Sequence, residues 1–272
     1  MQGLGNDYIY VNCFEENIAS PEELSVRISD RHFGIGSDGL VMIMPSDTAD
    51  LRMRIFNADG SEAKMCGNAS RCIGKYAYER GLVRKDTITL ETNSGIKTLH
   101  LDIKDDTVRS VSVDMGKAVF EPTAVPVLSD EPMISSPLRI NDDELLVTAV
   151  SVGNPHCVIF GGDPDDIILE KTGPLLENHP LVPERVNTEF AQILPDKTIK
   201  MRVWERGSGE TLACGTGACA VTAAAVKNGY FGTEENITVI LRGGELCITI
   251  HDDYSVTMCG GAEFVFDGEI RI

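Results

Sequence analysis

The sequence is short of positive charge and has no long apolar run. Its 24 Lys and Arg residues face 42 Asp and Glu residues, which gives a formal net charge of −18. This balance argues against nucleic acid or an anionic membrane as the main partner, because both bind positively charged surfaces. No apolar run approaches the roughly 20 residues of a membrane span, and no basic-then-apolar leader precedes the first motif. The 272 residues, 42% of them hydrophobic, suit a soluble chain of two domains.

The cysteines lack the close spacing of a zinc site. There are eight of them: Cys13, Cys66, Cys72, Cys157, Cys214, Cys219, Cys247 and Cys259. The spacings Cys66-x5-Cys72 and Cys214-x4-Cys219 do not fit a C-x2-C pair, and no fitting histidine pair accompanies them, so no metal is predicted. A chain of this size without a secretion leader predicts a cytoplasmic protein. In that reducing compartment a disulfide between Cys66 and Cys214 is a product of damage.

The chain contains an internal repeat. Cys214 lies 148 positions after Cys66, and sliding the chain by this interval brings several other residues into register. The matched pairs are Gly5-Asn6 with Gly153-Asn154, Arg54-Ile55-Phe56 with Arg202-Val203-Trp204, Glu62 with Glu210, Ala77 with Ala225, and Gly81 with Gly229. A register held over this distance indicates two copies of one structural unit.

Each copy predicts an α+β unit, rich in sheet, with one central helix. The spacing of residues predicts helices over about 68–80 and 216–228, with Gly81 and Gly229 as left-handed caps. The second helix is small and apolar on almost all sides, which indicates burial within a sheet. Alternating runs predict strands around the helices. These runs are "YIYVN", "HCVIF", "TITLETNSGIKTLHLDI", "SVSVDMG", "LLVTAVSV", "TIKMRVWE", "ITVILRGGELCITI" and "EFVFDGEI".

The predicted boundary between the copies lies near "DMGKAVFEPTAVPV", where Pro122 and Pro126 interrupt the strand pattern. We expect an N-terminal lobe over residues 1–116, completed by residues 262–272, and a C-terminal lobe over residues 117–261. The terminal stretch "GGAEFVFDGEI" resembles the crossing segment and is expected to return to the sheet of the first lobe.

A cysteine at the start of a helix occupies a special electrostatic position. It faces unpaired backbone N–H groups and the positive end of the helix dipole, which favours the thiolate and lowers the pKa of the thiol. The same N–H groups form a carboxylate site, and a following glycine lets the ligand approach the backbone. Two such starts, Cys66-Gly67 and Cys214-Gly215, related by a pseudo-two-fold axis, would hold one carboxylate with a sulfur on either side.

Inversion of a stereocentre by proton transfer needs this symmetry. One group removes the Cα proton from one face while another delivers a proton to the opposite face, and thiols titrate close enough to neutrality for both roles. No phosphate-cradling loop lies next to a plausible Schiff-base lysine, so a mechanism without a cofactor is preferred. A hydrolase built from either cysteine with His156 is an alternative, but it does not explain the second, matching cysteine.

The motifs resemble those of diaminopimelate epimerases, in order, over nearly the whole chain. They are "GLGNDY", "RHFGIGSDG", "RIFNADGSEAKMCGN", "VGNPHCV", "PERVNTEF" and "WERGSGETLACGTGACA". The resemblance implies two pseudo-symmetric lobes, each a mixed, barrel-like β-sheet around a central helix, with the active site in the cleft. It implies conversion of LL-2,6-diaminopimelate to the meso form, in lysine and peptidoglycan precursor biosynthesis. A racemase of another amino acid, of the proline or histidine type, is the alternative on the same fold.

The resemblance also implies a set of site residues. Cys66 and Cys214 correspond to the two catalytic proton-transfer groups, and residues matching His156 and Glu205 tune the thiols. The positions that correspond to substrate contacts are Asn6, Asn57, Gly67, Asn68, Asn154, Asn187, Glu205, Arg206, Gly215 and Thr216. Some members of the family carry a substrate-facing glutamine where Gly39 stands, so no role is assigned there. The expected partner is the small-molecule substrate, with no nucleic acid and no membrane. The sequence is compatible with a homodimer, but no feature selects one.

Overall fold

The computed structural model describes residues 1–141 and 143–271. The chain divides into two compact units, Met1–Val113 with Cys259–Ile272, and Asp114–Met258. Asp142 and Ile272, which fall within the predicted lobes, lie outside the described residues. In the part of the chain that the structure describes, the helices are too short or too polar to cross a membrane.

The first unit contains nine strands and two helices in its described residues, and the last of these strands runs past the unit's boundary. The strands are β1 (Gln2–Gly3), β2 (Asn6–Asp7), β3 (Ile9–Asn12), β4 (Gly39–Met44), β5 (Leu51–Asn57), β6 (Glu62–Ala63), β7 (Thr87–Thr92), β8 (Gly95–Lys104) and β9 (Thr107–Lys117). The helices are α1 (Pro21–Ser29) and α2 (Gly67–Glu79). The order in the sheet is β3-β4-β5-β7-β8-β9. The β3–β4 and β5–β7 pairs are parallel and the others are antiparallel.

The second unit contains the remaining nine strands and two helices of the described chain. The strands are β10 (Ser136–Ile140), β11 (Asp143–Ser151), β12 (Pro155–Phe160), β13 (Asn187–Leu194), β14 (Thr198–Glu205), β15 (Gly209–Glu210), β16 (Asn236–Leu241), β17 (Gly244–Ile250) and β18 (Ser255–Gly260). The helices are α3 (Leu169–Glu177) and α4 (Gly215–Lys227). The order is β10-β11-β12-β13-β14-β16-β17, with β12–β13 and β14–β16 parallel and the other pairs antiparallel.

The two units repeat the same sequence of pairings. Within β3-β4-β5-β7-β8 the directions alternate parallel, antiparallel, parallel, antiparallel, and β12-β13-β14-β16-β17 follows the same alternation. A two-residue strand pairs with the end of β5 in one unit and of β14 in the other, and the helix α2 or α4 follows it. The internal repeat seen in the sequence is therefore also a repeat of topology.

The helices α2 and α4 each have 13 residues, one residue earlier at both ends than predicted. Each ends at a glycine with positive φ, 77° at Gly81 and 80° at Gly229, which an L side chain would adopt only with strain. The helix α4 packs against six strands of its unit, β11, β12, β13, β14, β16 and β17. Its Ala and Gly residues let these strands approach closely, so the sheet-rich α+β fold with a buried central helix is confirmed.

The prediction of a strand at "EFVFDGEI" is wrong. The segment makes one antiparallel bridge, between Glu263 and Gln2, and no ladder beyond it in the described residues. Side chains hold it instead: Arg80 forms an ion pair with Asp267 at 2.6 Å, and its guanidinium lies 4.7 Å from the ring centre of Phe264. The sequence reading also missed α1, a short helix with Pro21 in its first turn.

Candidate active site

Cys66 occupies the cap position at the start of α2. Its backbone is extended, with φ −142° and ψ 120°, and the helix begins at Gly67. The Cys66 carbonyl accepts the first helical hydrogen bond from the Ser70 N–H at 2.9 Å, and the Ser70 hydroxyl donates to the same oxygen at 2.9 Å. The half-buried thiol is therefore held next to the first N–H groups of the helix, which have no acceptor within it.

Asn6 links this thiol to a partly exposed group of carboxylates. The sulfur of Cys66 lies 3.6 Å from Asn6 Oδ1, and Asn6 Nδ2 donates to Asp38 Oδ2 at 2.8 Å. Asp38 also accepts the Asp7 N–H, and Arg31 bridges the carboxylates of Asp7 and Asp38. Burial and the charge of Asp7 raise the pKa of Asp38. This carboxyl fixes which end of the Asn6 amide faces Cys66.

The other predicted residues of the first unit are tied to their neighbours. Asn57 ends β5, where its Oδ1 accepts the Tyr8 hydroxyl at 3.3 Å and its Nδ2 donates to Ser61 Oγ at 3.0 Å. Asn68 is buried in the first turn of α2, and its Oδ1 accepts from Arg71 at 3.0 Å. The Asn57 amide thus also serves the turn that follows β5.

Cys214 occupies the cap position at the start of α4 and is more deeply buried than Cys66. Its sulfur accepts the Gly217 N–H at 3.3 Å and lies 3.5 Å from Thr216 Oγ1. A Cβ on Gly217 would lie 3.2 Å from this sulfur and 2.9 Å from Glu189 Oε1. Only glycine leaves room for both groups, because real Cβ atoms do not approach oxygen so closely.

The pKa of Cys214 departs from the expectation for a helix start. Burial is the largest influence, followed by the negative charge of Glu205, and together they raise the pKa of this thiol well above its ordinary value. The hydrogen bonds from Thr216 and Gly217 act in the opposite direction but are outweighed. Desolvation disfavours a thiolate more strongly here than the N–H groups stabilise it. Cys214 therefore holds its proton in the resting protein.

His156 belongs to a chain of three side chains, of which His156 and Glu189 are buried and Asn154 is partly exposed. Its Nδ1 lies 2.6 Å from Glu189 Oε1, and its Nε2 lies 3.0 Å from Asn154 Oδ1. His156 and Glu189 are both 0% exposed. The sequence analysis assigned no role to Glu189 and did not predict the strand β13 that carries it, although one signal was available: a carboxylate stands directly before the apolar pair Phe190-Ala191. A charge within a buried strand is rare unless it is paired.

Glu205 ends β14, and Arg206 begins the loop that follows. Thr211 Oγ1 donates to Glu205 Oε1, and the backbone N–H of Arg206 donates to Asn187 Oδ1 at 2.7 Å. The Arg206 guanidinium is exposed and donates to the Glu184 carbonyl at 2.9 Å. The predicted residues of the second unit thus form three local groups, one at the start of α4, one around Glu205 and Arg206, and one around His156.

Both helix starts present a thiol, small residues and backbone N–H donors, which suits proton transfer next to a bound anion. All eight cysteines lie in the described part of the chain, and none forms a disulfide. Within residues 1–141 and 143–271 there is no group of three His, Cys, Asp or Glu side chains that could hold a metal ion.

Comparisons with known proteins place this chain among characterised relatives. The family described as diaminopimelate epimerase matches residues 1–121 and 148–265. A diaminopimelate epimerase of Acetivibrio thermocellus is 54% identical over 274 aligned positions, which cover 100% of this chain and 97% of the relative. One of Methanococcus maripaludis strain C6 is 52% identical and covers 100% of this chain and 98% of the relative.

Solved structures share the fold at low identity. A Bacillus anthracis phenazine biosynthesis protein has a TM-score of 0.71 at 17% identity and covers 100% of this chain and 95% of that one. A probable proline racemase of Agrobacterium radiobacter K84 has a TM-score of 0.67 at 17% identity and covers 92% of this chain and 81% of that one. These likenesses show the fold and do not favour the alternative of another amino acid racemase. The full-length matches show that this chain belongs to the diaminopimelate epimerase family, a family of isomerases.

Proposed function

We propose that this chain interconverts LL- and meso-2,6-diaminopimelate by proton transfer between two cysteines and one Cα, without a cofactor. Family membership supports the substrate. The observation that carries the mechanism is the duplication of one arrangement: each unit begins a 13-residue helix with Cys-Gly and caps it with the cysteine. A reaction with a base on one face of a carbon and an acid on the other uses two such groups.

The two thiols take complementary roles in the proposed reaction. Cys214 is the acid at rest, because burial and the nearby carboxylate of Glu205 raise the pKa of its thiol. Cys66, which lies half-buried beside Asn6, is then the base in the direction that begins from this state. In one turnover Cys66 takes the original Cα proton from one face and Cys214 gives its own proton to the other, so the two sulfurs exchange protonation states, and the reverse reaction restores them.

The helix starts stabilise the charge that develops on the substrate. Removal of the Cα proton pushes electron density onto the adjacent carboxylate. The backbone N–H groups of Gly67-Asn68 and Gly215-Thr216 are assigned to this carboxylate, as the resemblance implies. Loss of one donor from such an anion site typically costs about 3 kcal/mol in the transition state, which is an effect of catalytic size.

The distal amino acid group of the substrate needs different partners. Its carboxylate suits a guanidinium fork, which the exposed Arg206 supplies, and its ammonium suits the acceptors of Glu205 and the asparagine side chains. Asn187 supports this assignment because it holds the Arg206 backbone. Asn6, Asn57 and Asn154 complete the assigned contacts.

The proposed setting is the cytoplasm, where both thiols stay reduced, and the proposed role is supply of lysine and peptidoglycan precursors. The small-molecule substrate is the only partner the mechanism needs. The formal charge of −18 disfavours nucleic acid and anionic membranes. Binding of the two carboxylates of the zwitterionic substrate is therefore assigned to local donors and not to the overall charge of the protein.

Hydrogen exchange at Cα tests the proposal directly. Purified protein is incubated with LL-diaminopimelate in deuterated water without added cofactor, and stereoisomers and deuterium content are followed by chiral chromatography and mass spectrometry. We expect deuterium at Cα of the meso product and no such product with proline as substrate. Absence of exchange with LL-diaminopimelate, or an equal rate with proline, would overturn the assignment.

A further inference from the structure

Glu189 is a buried carboxyl group to which the proposed reaction assigns no role. It lies on β13, on the same face of the strand as Asn187, which is two residues earlier, and it is 0% exposed. One of its oxygens, Oε1, lies 2.6 Å from Nδ1 of His156. The other, Oε2, has no hydrogen-bond partner among the residues that the structure describes. An unpartnered, fully buried carboxylate oxygen is costly, whereas a neutral acid tolerates it better.

The hydrogen bonds of His156 restrict where its protons lie. Asn154 Oδ1 accepts only, so the nitrogen 3.0 Å from it, His156 Nε2, carries a hydrogen. In a neutral imidazole Nδ1 is then an acceptor, and its partner Glu189 must supply the hydrogen. The alternative is a doubly protonated imidazole next to a carboxylate. The pair carries no net charge in either case, and one proton lies between Nδ1 and Oε1.

The surroundings of Glu189 favour its neutral form. The titratable groups that act on it or respond to it are His156 and Cys157 on β12, Glu205 on β14 and Cys214 at the start of α4. Glu205 adds a like charge, and burial, the largest influence, raises the pKa of the Glu189 carboxyl. The charge of His156 opposes this only if the imidazole is protonated, which costs further desolvation at 0% exposure.

We propose that Glu189 is a positioning residue, which as a neutral acid donates its hydrogen to His156 Nδ1. This hydrogen bond fixes the imidazole with its own hydrogen on Nε2. The Asn154 amide is then held with its oxygen toward His156 and its NH2 group turned away. The consequence for binding rests on the proposed function, in which Asn154 contacts the substrate. An NH2 group turned outward is a donor for a substrate carboxylate. Without Glu189 the imidazole can place its hydrogen on Nδ1, and the amide then reverses and presents its oxygen.

The fold itself does not require an acid at this position. Val41 is the residue that corresponds to Glu189 in the first copy of the repeat, and it is buried on the matching strand β4. An apolar side chain therefore suits a strand of this topology, and Glu189→Leu is a reasonable test variant. Glu189→Gln is the isosteric companion, because its NH2 group donates to Nδ1 just as the neutral acid does.

Nitrogen NMR of the ligand-free protein tests the proton arrangement without reference to catalysis. Protein labelled with 15N-histidine gives separate signals for the five histidines, and His156→Gln assigns the signal of interest. We expect the wild-type His156 to be neutral at pH 7, with hydrogen on Nε2. We expect the same pattern in Glu189→Gln and a gain of the Nδ1–H form in Glu189→Leu.

Steady-state kinetics test the consequence for Asn154. We expect Glu189→Leu to raise KM for LL-diaminopimelate by about tenfold or more, because a substrate carboxylate then meets an oxygen instead of an N–H donor. Glu189→Gln is expected to keep KM within about twofold, since its amide preserves the donor to Nδ1. Thr188→Val is the control: it alters a buried residue on the opposite face of β13 and should leave both KM and the His156 signal unchanged.

Two NMR results would overturn the proposal: a doubly protonated wild-type His156 at pH 7, or a Glu189→Leu protein with an unaltered Nε2–H signal. If Glu189→Leu does not fold, the wild-type spectrum and Glu189→Gln still decide, since an ion pair would be lost in Glu189→Gln. An inactive wild-type protein with the expected spectrum would refute the proposed function and leave the proton arrangement standing.

Discussion

The two cysteine-capped helices have the same length and the same place in the topology, but their surroundings differ. Cys66 is half-buried and contacts the amide of Asn6, whereas Cys214 is buried and is influenced by Glu205 and Glu189. The helix α2 buries polar side chains, among them Arg71 at 0% exposure, whereas the buried face of α4 is mostly alanine. The repeat thus preserved the backbone frame and changed the electrostatics within it.

Single positions of the repeat show where the change lies. Tyr8 corresponds to His156, Val41 to Glu189 and Asn57 to Glu205. In the first unit Tyr8 donates to Asn57, while in the second unit His156 pairs with Glu189. A symmetric frame with unequal side chains suits a reaction in which one thiol holds a proton while the other accepts one.

Replacing either of the two helix-start thiols should have the largest effect on activity. We expect Cys66→Ala and Cys214→Ala each to lower kcat/KM for epimerisation by about 10²–10⁴-fold or more, because each removes one proton-transfer group. The measurement is the rate of meso-diaminopimelate formation. Cys13→Ala, which removes a half-buried thiol that bonds only weakly to the Val11 carbonyl, should retain full activity. Near-normal turnover in either variant would refute the two-thiol mechanism.

Replacing the third residue after each helix-start cysteine should have the next largest effect on activity. Gly217 corresponds to Ala69 in the first unit. Gly217→Ala places a methyl group 2.9 Å from Glu189 Oε1 and 3.2 Å from Cys214 Sγ, so we expect kcat/KM to fall about 100-fold as these groups move apart. The matched control is Ala69→Gly, which lowers stability by about 1 kcal/mol in a helix and leaves kcat/KM within about twofold. An equal loss of activity in both variants would show that the loss does not come from a methyl group close to Cys214 and Glu189.

Replacing the carboxylates near Asn6, Asp38 and Asp7, should have a smaller effect on activity. Asp38→Ala removes the acceptor of Asn6 Nδ2, so the amide can reverse toward Cys66, and we expect kcat/KM to fall by about 20-fold. Asp7→Ala removes the other carboxylate on Arg31 but keeps the Asn6–Asp38 bond, so we expect a change of no more than about twofold. Equal losses in the two variants would assign the effect to Arg31 and not to the Asn6 amide.

The smallest effect concerns stability at high pH. Burial raises the pKa of Cys157 from 9.0 to about 12, and Ile9 stands at the corresponding position of the first unit. The unfolded thiol ionises above pH 9 while the folded one stays protonated, so the stabilisation is complete below pH 9 and is lost between pH 9 and about 12. Each pH unit in this window costs about 1.4 kcal/mol.

Urea unfolding of the wild type and Cys157→Val between pH 8 and 11 measures this loss. The valine variant should have the flatter dependence on pH, because it has no thiol to ionise in the unfolded state. The difference in the free energy of unfolding between the two proteins should be constant below pH 9. Parallel curves up to pH 11 would show that Cys157 is accessible to water in the folded protein.

Local patterns predicted most of the frame. Both central helices and many of the strands follow from helical or alternating spacing, and Gly81 and Gly229 from their place after the last helical residue, but β4, β10 and β13 were not predicted. The strand expected at "EFVFDGEI" failed because alternation alone does not supply a partner strand, and Arg80 holds that segment through side chains instead. The short α1 was missed because its nine residues present only a weak apolar face.

By itself the sequence determined that this protein is a duplicated unit with a cysteine before each central helix, since repeats and helix starts are read from residues close together in the chain. Only the tertiary structure decided how these thiols differ. Glu189, His156 and Cys214 are far apart in sequence, and the folded chain buries them together in the second unit. Protonation depends on burial and on nearby charge, and both arise only when distant segments pack against one another.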